Sequence, residues 1–263
     1  MSMKIAIIGG GNMGGAIAIG LANSGSISPQ DITVINRRQE VADKLKQANK
    51  DLNAIVGQYE LISESDIVIL AIKPWLFEDF MNKYKPFFTN PKQLFISVAA
   101  GITLEQLENW TIVRKPVFRV IPNTAIALQQ SMTFVAAKNA DKQQIDAVAN
   151  LFAELGKVEV IEEKNVSAAT SLASCGIAYA FRYIRAAMEG GVEMGLYPNQ
   201  AKHIVIQTLR GAIELLEAND SHPEQEVDKV TTAGGITIKG LNEMEHAGFT
   251  SAVIRGLKAS DIK

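Results

Sequence analysis

One stretch near the N-terminus constrains this chain more than any other. Lys4-Ile5-Ala6-Ile7-Ile8 is a short apolar run, and Gly9-Gly10-Gly11-Asn12-Met13-Gly14 follows it directly. A segment of small and apolar residues from Met13 to Ala22 comes next and suits a helix. The apolar run fits a strand buried on both faces. The spacing Gly9-x-Gly11-x-x-Gly14 between strand and helix gives each glycine a task. Gly9 makes a tight turn, Gly11 admits a pyrophosphate to the backbone, and Gly14 lets helix and strand pack closely. Free N–H groups at the helix start attract the phosphates. The glycines also interrupt the run too early for a secretory signal, and Lys4 is its one positive charge, so we expect a cytoplasmic chain that is intact from Met1.

The pattern then repeats. Asp31–Ile35 predicts a second strand, Gln39–Ala48 a helix, and Asp66–Ile72 a third strand. Leu94–Val98 and Val117–Val120 continue the series. Met132–Ala137 and Val158–Val160 flank a helix from about Asp141 to Leu155 and complete the sheet. Strands alternating with helices predict a parallel sheet with right-handed crossovers. After Lys164 the strands stop. Val166, Ala169, Ala173, Ile177, Phe181, Ile184, Met188 and Val192 recur at steps of three or four, which predicts one long helix ending near Gly195. Further helices follow over Ala201–Leu216, after a capping box read at Ser221-His222-Pro223-Glu224, up to His246, and from Thr250 to Ala259. The expected architecture is a Rossmann-type α/β domain over residues 1–162 and an all-α domain over 163–263.

A composition of 47% apolar and 21% charged residues is that of an ordinary globular chain, and a net charge of -2 gives no pull toward nucleic acid or a membrane surface. No apolar stretch reaches the length of a membrane span. The lone cysteine, Cys175, excludes an intrachain disulfide and reads as a packing residue. His203, His222 and His246 are too widely spaced for a familiar metal site, so no metal is expected.

The end of the second strand bears on the choice of cofactor. Sites selective for NAD place Asp or Glu there, whereas this chain has Asn36-Arg37-Arg38. Adjacent guanidinium groups match a 2′-phosphate in charge and geometry, which favours NADPH over NADH; the alternative is two solvated arginines on a loop. Ala71-Ile72-Lys73-Pro74 and Ser97-Val98-Ala99-Ala100-Gly101 each end a strand at the edge where open α/β sheets bind ligands. That edge marks Ala71, Lys73, Pro74, Ala99, Ala100 and Gly101 as candidates, the small residues leaving room for the nicotinamide and its ribose. In the helical half, Thr231-Thr232-Ala233-Gly234-Gly235-Ile236-Thr237 leaves backbone N–H groups free at a helix start. Such a loop can bind a carboxylate, or can be a plain turn with a threonine cap.

These stretches, with Ile7–Met13 and Arg119-Val120-Ile121-Pro122-Asn123-Thr124, give the chain a resemblance to the pyrroline-5-carboxylate reductase family over nearly its whole length. The resemblance implies NAD(P)H-dependent reduction of Δ1-pyrroline-5-carboxylate to L-proline, in dimers interlocked through the C-terminal helices or in larger rings. It implies that Gly235, Ile236 and Thr237 offer N–H groups to the substrate carboxylate beside Thr232 and Gly234, and that the Thr237 hydroxyl bonds the imine nitrogen. It places Asn12, Met13, Gln58 and Asn123 beside the cofactor. Departures are Ser174-Cys175-Gly176-Ile177-Ala178-Tyr179 where the family has Gly-Ser-Gly-Pro-Ala-Tyr, Ala233 in place of proline, and Gln58 in place of asparagine. They bear on substrate identity more than on reaction type. Rival readings are a related imine reductase, a β-hydroxyacid-type dehydrogenase and a non-catalytic NADP-binding protein. The dehydrogenase needs a lysine on the long helix, and none occurs between Asn165 and Gly195.

Overall fold

The computed structural model describes residues 3–111 and 113–261. The chain folds into two compact units, residues 1–174 and 175–263.

The first unit is built on an eight-stranded sheet of order β3-β2-β1-β4-β5-β6-β7-β8. The strands are β1 (Ile5–Ile8), β2 (Ile32–Asn36), β3 (Asn53–Val56), β4 (Ile67–Leu70), β5 (Leu94–Ser97), β6 (Val117–Ile121), β7 (Ser131–Lys138) and β8 (Gly156–Val160). Strands β1 to β6 pair in parallel. Strand β7 runs antiparallel to β6, with Val117 opposite Lys138 and Ile121 opposite Phe134, while β8 is parallel to β7. The expected parallel sheet is therefore a mixed one, reversed at a single pair. Only a short connection, Pro122–Gln130, joins β6 to β7, too little for a helical crossover, so the chain turns straight back. Strand β3 is an addition to the expected set: after an exposed asparagine at the sheet edge its apolar run is only three residues, Ala54-Ile55-Val56, too short to stand out.

Alternate strand residues face opposite layers. Ile5, Ile7, Val34, Ile67, Ile69, Ile96 and Phe118 form one cluster with Ile17, Leu21, Leu45 and Phe152 of α1 (Asn12–Ser24), α2 (Gln39–Ala48) and α5 (Lys142–Ala153). Ala6, Ile8, Val68, Leu70 and Phe95 form the other with Phe77, Met81, Leu104 and Leu107 of α3 (Phe77–Tyr84) and α4 (Leu104–Trp110). Helices on both faces bury the strands twice over, which is why they read as continuous apolar runs.

The expected long helix runs without a break from Val166 to Glu193 and holds one π-turn: α6 (Val166–Thr170), the π-turn (Ser171–Cys175) and α7 (Gly176–Glu193). The π-turn ends on Ser174 and Cys175, the first two residues of the segment that departs from the family pattern. Ala173 O accepts from Asn123 Nδ2 at 3.4 Å, and Ser174 Oγ donates to Pro122 O at 3.5 Å. With Val166 buried against the sheet, and Glu163 Oε1 accepting from Leu104 N and Arg119 NH1, these contacts carry the first unit beyond residue 162.

The second unit contains α7, α8 (Pro198–Asn219), α9 (Pro223–Val230), α10 (Ile236–His246) and α11 (Phe249–Ser260). Helices α7 and α8 meet closely where a Cβ on Gly191 would stand 3.1 Å from Ala201 Cβ. The Tyr179 hydroxyl bonds Ser260 Oγ and donates to Gly256 O, pinning α11 to α7. The cap of α9 lies one residue later than expected. His222 Nδ1 accepts from Glu224 N, Gln225 reaches back to His222 N, and the Ser221 hydroxyl goes to Glu226. Phe181, Met194, Ile213, Leu215, Val253 and Ile254 remain exposed. No helix among the described residues is long and apolar enough to cross a membrane.

Candidate active site

The sheet order reverses between β1 and β4, and the crevice beyond their C-terminal ends is where open α/β sheets bind ligands. Gly9 opens the turn after β1 with φ +97°, and its N–H donates to Ile35 O at 2.9 Å. A Cβ there would lie 2.9 Å from Ala71 O, so β4 closes one wall of the turn. Gly11 caps α1 with no side-chain bond, no acidic residue occupies the first turn, and a Cβ on Gly11 would meet nothing within 4 Å. The helix start therefore opens onto free space with its dipole uncompensated, which fits a phosphate group. A Cβ on Gly14 would lie 1.9 Å from Gly9 O, so no side chain is possible while helix and turn keep this spacing. Asn12 and Met13 form the first turn of α1.

At the end of β2, Asn36 is 3% exposed and both ends of its amide are bonded: Oδ1 accepts from Gly10 N at 2.8 Å, and Nδ2 donates to Val34 O at 3.1 Å. Asn36 thus holds the glycine turn. Gly10, outside the motif spacing, is the residue it holds. Arg37 and Arg38 are exposed, and among the described residues neither guanidinium has an ion pair. Arg37 lies close enough to Tyr59 to act on it. Burial lifts the Tyr59 phenol above its ordinary value, Tyr84 adds to that, and Arg37 pulls it back. After β3, Gly57 (φ +70°) and Gln58 (φ +54°) are both left-handed, leaving Gln58 exposed in a conformation that asparagine tolerates better.

After β4, Lys73 begins a 3-10 turn (Pro74–Leu76) with Pro74 as its first residue, and Lys73 Nζ stands 5.9 Å from the centroid of the exposed Trp75 ring. After β5, Ser97 Oγ accepts from Ala99 N, while Ala100 and Gly101 are exposed, Gly101 with φ +85°. Asn123, beyond β6, is 6% exposed; its Oδ1 caps Ala125 N and its Nδ2 reaches Ala173 O. Like Asn36, it is engaged with the protein itself. The edge thus brings Gly9, Gly11, Asn12, Met13, Gly14, Arg37, Arg38, Gln58, Ala71, Lys73, Pro74, Ala99, Ala100 and Gly101 to the C-terminal ends of the parallel strands.

In the second unit, Thr231 Oγ1 donates to Val227 O at 3.0 Å, and Gly234 turns the chain with φ +75°. The Gly235 N–H donates to Thr232 O at 2.9 Å and closes the turn. A Cβ on Gly235 would lie 2.7 Å from Thr232 Oγ1. Gly235 is the cap of α10, with no side-chain bond and no acidic residue in the first turn. Thr237 is therefore not the cap; it lies exposed in the first turn behind Ile236. Ile236 and Thr237 carry the N–H groups that this turn leaves open.

A glycine turn at a sheet switch point, an uncapped helix start and a dication at the end of β2 define a pyridine-nucleotide-dependent oxidoreductase. Residues 4–101 match the sequence model described as NADP oxidoreductase coenzyme F420-dependent, and residues 163–263 match that of pyrroline-5-carboxylate reductase dimerisation. Pyrroline-5-carboxylate reductase 2 of Dictyostelium discoideum is 35% identical, covering 98% of this chain and 90% of that protein. Pyrroline-5-carboxylate reductase 1 of the same organism is 36% identical over 98% of this chain, which spans about half of that longer protein, 49%. The crystal structure of Plasmodium falciparum pyrroline carboxylate reductase with NADP bound superposes with a TM-score of 0.88 at 28% identity, covering 98% of this chain and 95% of that one. The chain belongs to the pyrroline-5-carboxylate reductase family.

Proposed function

We propose that this protein reduces Δ1-pyrroline-5-carboxylate to L-proline with NADPH as the preferred reductant, as the last step of proline biosynthesis. We further propose that it works in the cytoplasm as a homodimer or larger homo-oligomer, with residues 163–263 as the dimerisation and substrate-binding domain. The observation that carries the reading is the glycine turn Gly9–Gly14 at the sheet switch point, which leaves an uncapped, acid-free helix start at Gly11, with a second glycine turn and start of that kind at Gly234–Gly235. Two such starts suit two anions, a pyrophosphate and a carboxylate. Family membership supplies the substrate.

Bound at the sheet edge, the reduced cofactor would supply the hydride. The N–H groups opening α1 would hold the pyrophosphate, and Arg37 and Arg38 would pair with the 2′-phosphate. Lys73, Pro74, Ala71, Gln58 and the Ala99–Gly101 turn line the remainder. The N–H groups of Ile236 and Thr237 hold the carboxylate, while Gly234, Gly235 and Thr232 shape the loop. The Thr237 hydroxyl bonds the ring nitrogen and orients the C=N bond. A protonated imine accepts hydride at carbon, and the electron pair returned to nitrogen leaves a secondary amine, so orientation and charge complementarity matter more than a strong base. The exposed apolar side chains of α7, α8 and α11 support association.

The test is NADPH consumption by the purified chain with Δ1-pyrroline-5-carboxylate, and NADP reduction with L-proline at high pH. Tight NADPH binding without turnover in either direction would overturn the assignment in favour of a non-catalytic NADP-binding protein. Turnover confined to another cyclic imine would favour the related imine reductase, with the departure at Ser174–Ile177 as its cause.

A further inference from the structure

Trp75 has no part in the site as described so far. It is 74% exposed, whereas the aromatics that follow it are packed: Phe77 is buried, and Phe80 and Tyr84 lie against Tyr59 at 5.6 and 4.1 Å between ring centroids. The other tryptophan, Trp110, packs on Phe77 at 5.6 Å. Leaving the largest apolar side chain bare is unfavourable unless something covers it. Its turn is rigid as well. Pro74 fixes the backbone before it, and Leu76 N donates to Lys73 O at 2.9 Å to close the turn. Lys73 Nζ stands over one part of the ring system, 5.9 Å from the centroid, within cation–π range.

The placement selects what covers the ring. The adenosine half of a dinucleotide lies at the β2 end of the switch point, where the ribose is read. That end carries Arg37 and Arg38. Tyr59, within electrostatic reach of Arg37, packs on Phe80 and Tyr84 of α3, the helix that leaves the Trp75 turn. The β2 end and the helix that leaves the Trp75 turn are therefore joined through one aromatic cluster on the same side of the sheet.

We propose that Trp75 is the stacking plate for the adenine base of the cofactor, with Lys73 steadying the indole and keeping ammonium protons for a neighbouring phosphate. This rests on the dinucleotide reading above. A flat, electron-rich indole suits a purine on its free face, and the contact is independent of the base's hydrogen-bond edge. It adds affinity for the adenosine half and nothing for the nicotinamide half.

The experiment follows tryptophan emission of the full chain during titration with NADPH, with adenosine 2′,5′-bisphosphate and with nicotinamide mononucleotide, and measures the first two affinities by calorimetry. Trp75→Phe, which leaves Trp110 as the one emitter, assigns the signal. We expect NADPH and the bisphosphate to quench Trp75 and the mononucleotide to leave it unchanged. Trp75→Ala weakens both NADPH and the bisphosphate about five- to ten-fold, by the loss of one stacked base, and Trp75→Phe restores most of it. Two results overturn the proposal: quenching by the mononucleotide but not the bisphosphate, or unchanged bisphosphate affinity in a Trp75→Ala protein that melts like the parent. If the parent binds neither NADPH nor the bisphosphate, the dinucleotide reading fails and takes this one with it.

Discussion

Gly11 and Gly14 belong to one motif but do different work, and substitution by alanine separates them. At Gly14 the added methyl would sit 1.9 Å from Gly9 O, where an ordinary contact needs about 3.4 Å. The obstacle is backbone, so helix and turn must separate by more than about 1 Å, and β4 blocks retreat because Ala71 O already walls Gly9. Overpacking of this kind costs about 1–3 kcal/mol or more. Helix propensity returns at most about 1 kcal/mol on replacing glycine by alanine. We expect a net loss of about 1–3 kcal/mol, a fall in Tm of roughly 2–12 °C for a chain of this size, and loss of NADPH binding because the helix start no longer faces the phosphate. At Gly11 the methyl meets no protein atom and φ is -66°, which alanine accepts. Alanine is a poorer cap than glycine, but the stiffer unfolded chain offsets much of that. Gly11→Ala should therefore melt within about 2 °C of the parent by the same scaling while losing NADPH affinity, because its methyl occupies the pyrophosphate approach. Thermal unfolding and NADPH titration of both variants decide the matter. If Gly14→Ala melts like the parent, or Gly11→Ala binds NADPH unchanged, the steric argument for the turn is wrong.

Arg37→Ala with Arg38→Ala should lower kcat/KM for NADPH by about 2–4 kcal/mol and for NADH far less; equal losses would mean the arginines do not read the 2′-phosphate. Thr237→Ala should keep the fold and NADPH affinity and lower kcat/KM by roughly 1.5–3 kcal/mol, with Thr237→Ser recovering most of it; parent-like turnover would reduce the hydroxyl to a surface group. Lys115 is 2% exposed, donates to Gln93 at 3.2 Å, and burial lowers its pKa to about 8. Below pH 8 both folded and unfolded chains carry its proton and the folded state bears the burial cost. Between pH 8 and the ordinary lysine value the folded state sheds the proton first, so stability from this group rises with pH. Lys115→Met should flatten that rise in Tm between pH 8 and 10; an unchanged slope would place the titration elsewhere. Light scattering at micromolar concentration should show a dimer or larger, and an active monomer would refute association through the apolar helix faces.

Much of this protein was legible in its order of residues, because local pattern records contrast with solvent. Ile5–Ile8, Ile67–Leu70 and Leu94–Ser97 read as doubly buried strands since both faces meet helices, and Gln39–Ala48 read as a helix to the residue. The glycine spacing was legible too, as it depends on a turn closed within six residues. What the tertiary structure alone decided depends on partners far away in the chain. Strand β7 reverses because of how the chain returns after Ile121, and nothing in Ser131–Lys138 encodes a direction. Strand β3 exists because β2 offers it an edge. The amides of Asn36 and Asn123 find partners at Gly10, 26 residues back, and Ala173, 50 residues on. Burial removes the water that would otherwise satisfy such amides, so each is bonded by whatever polar backbone the fold brings within reach, and only the folded path determines which that is.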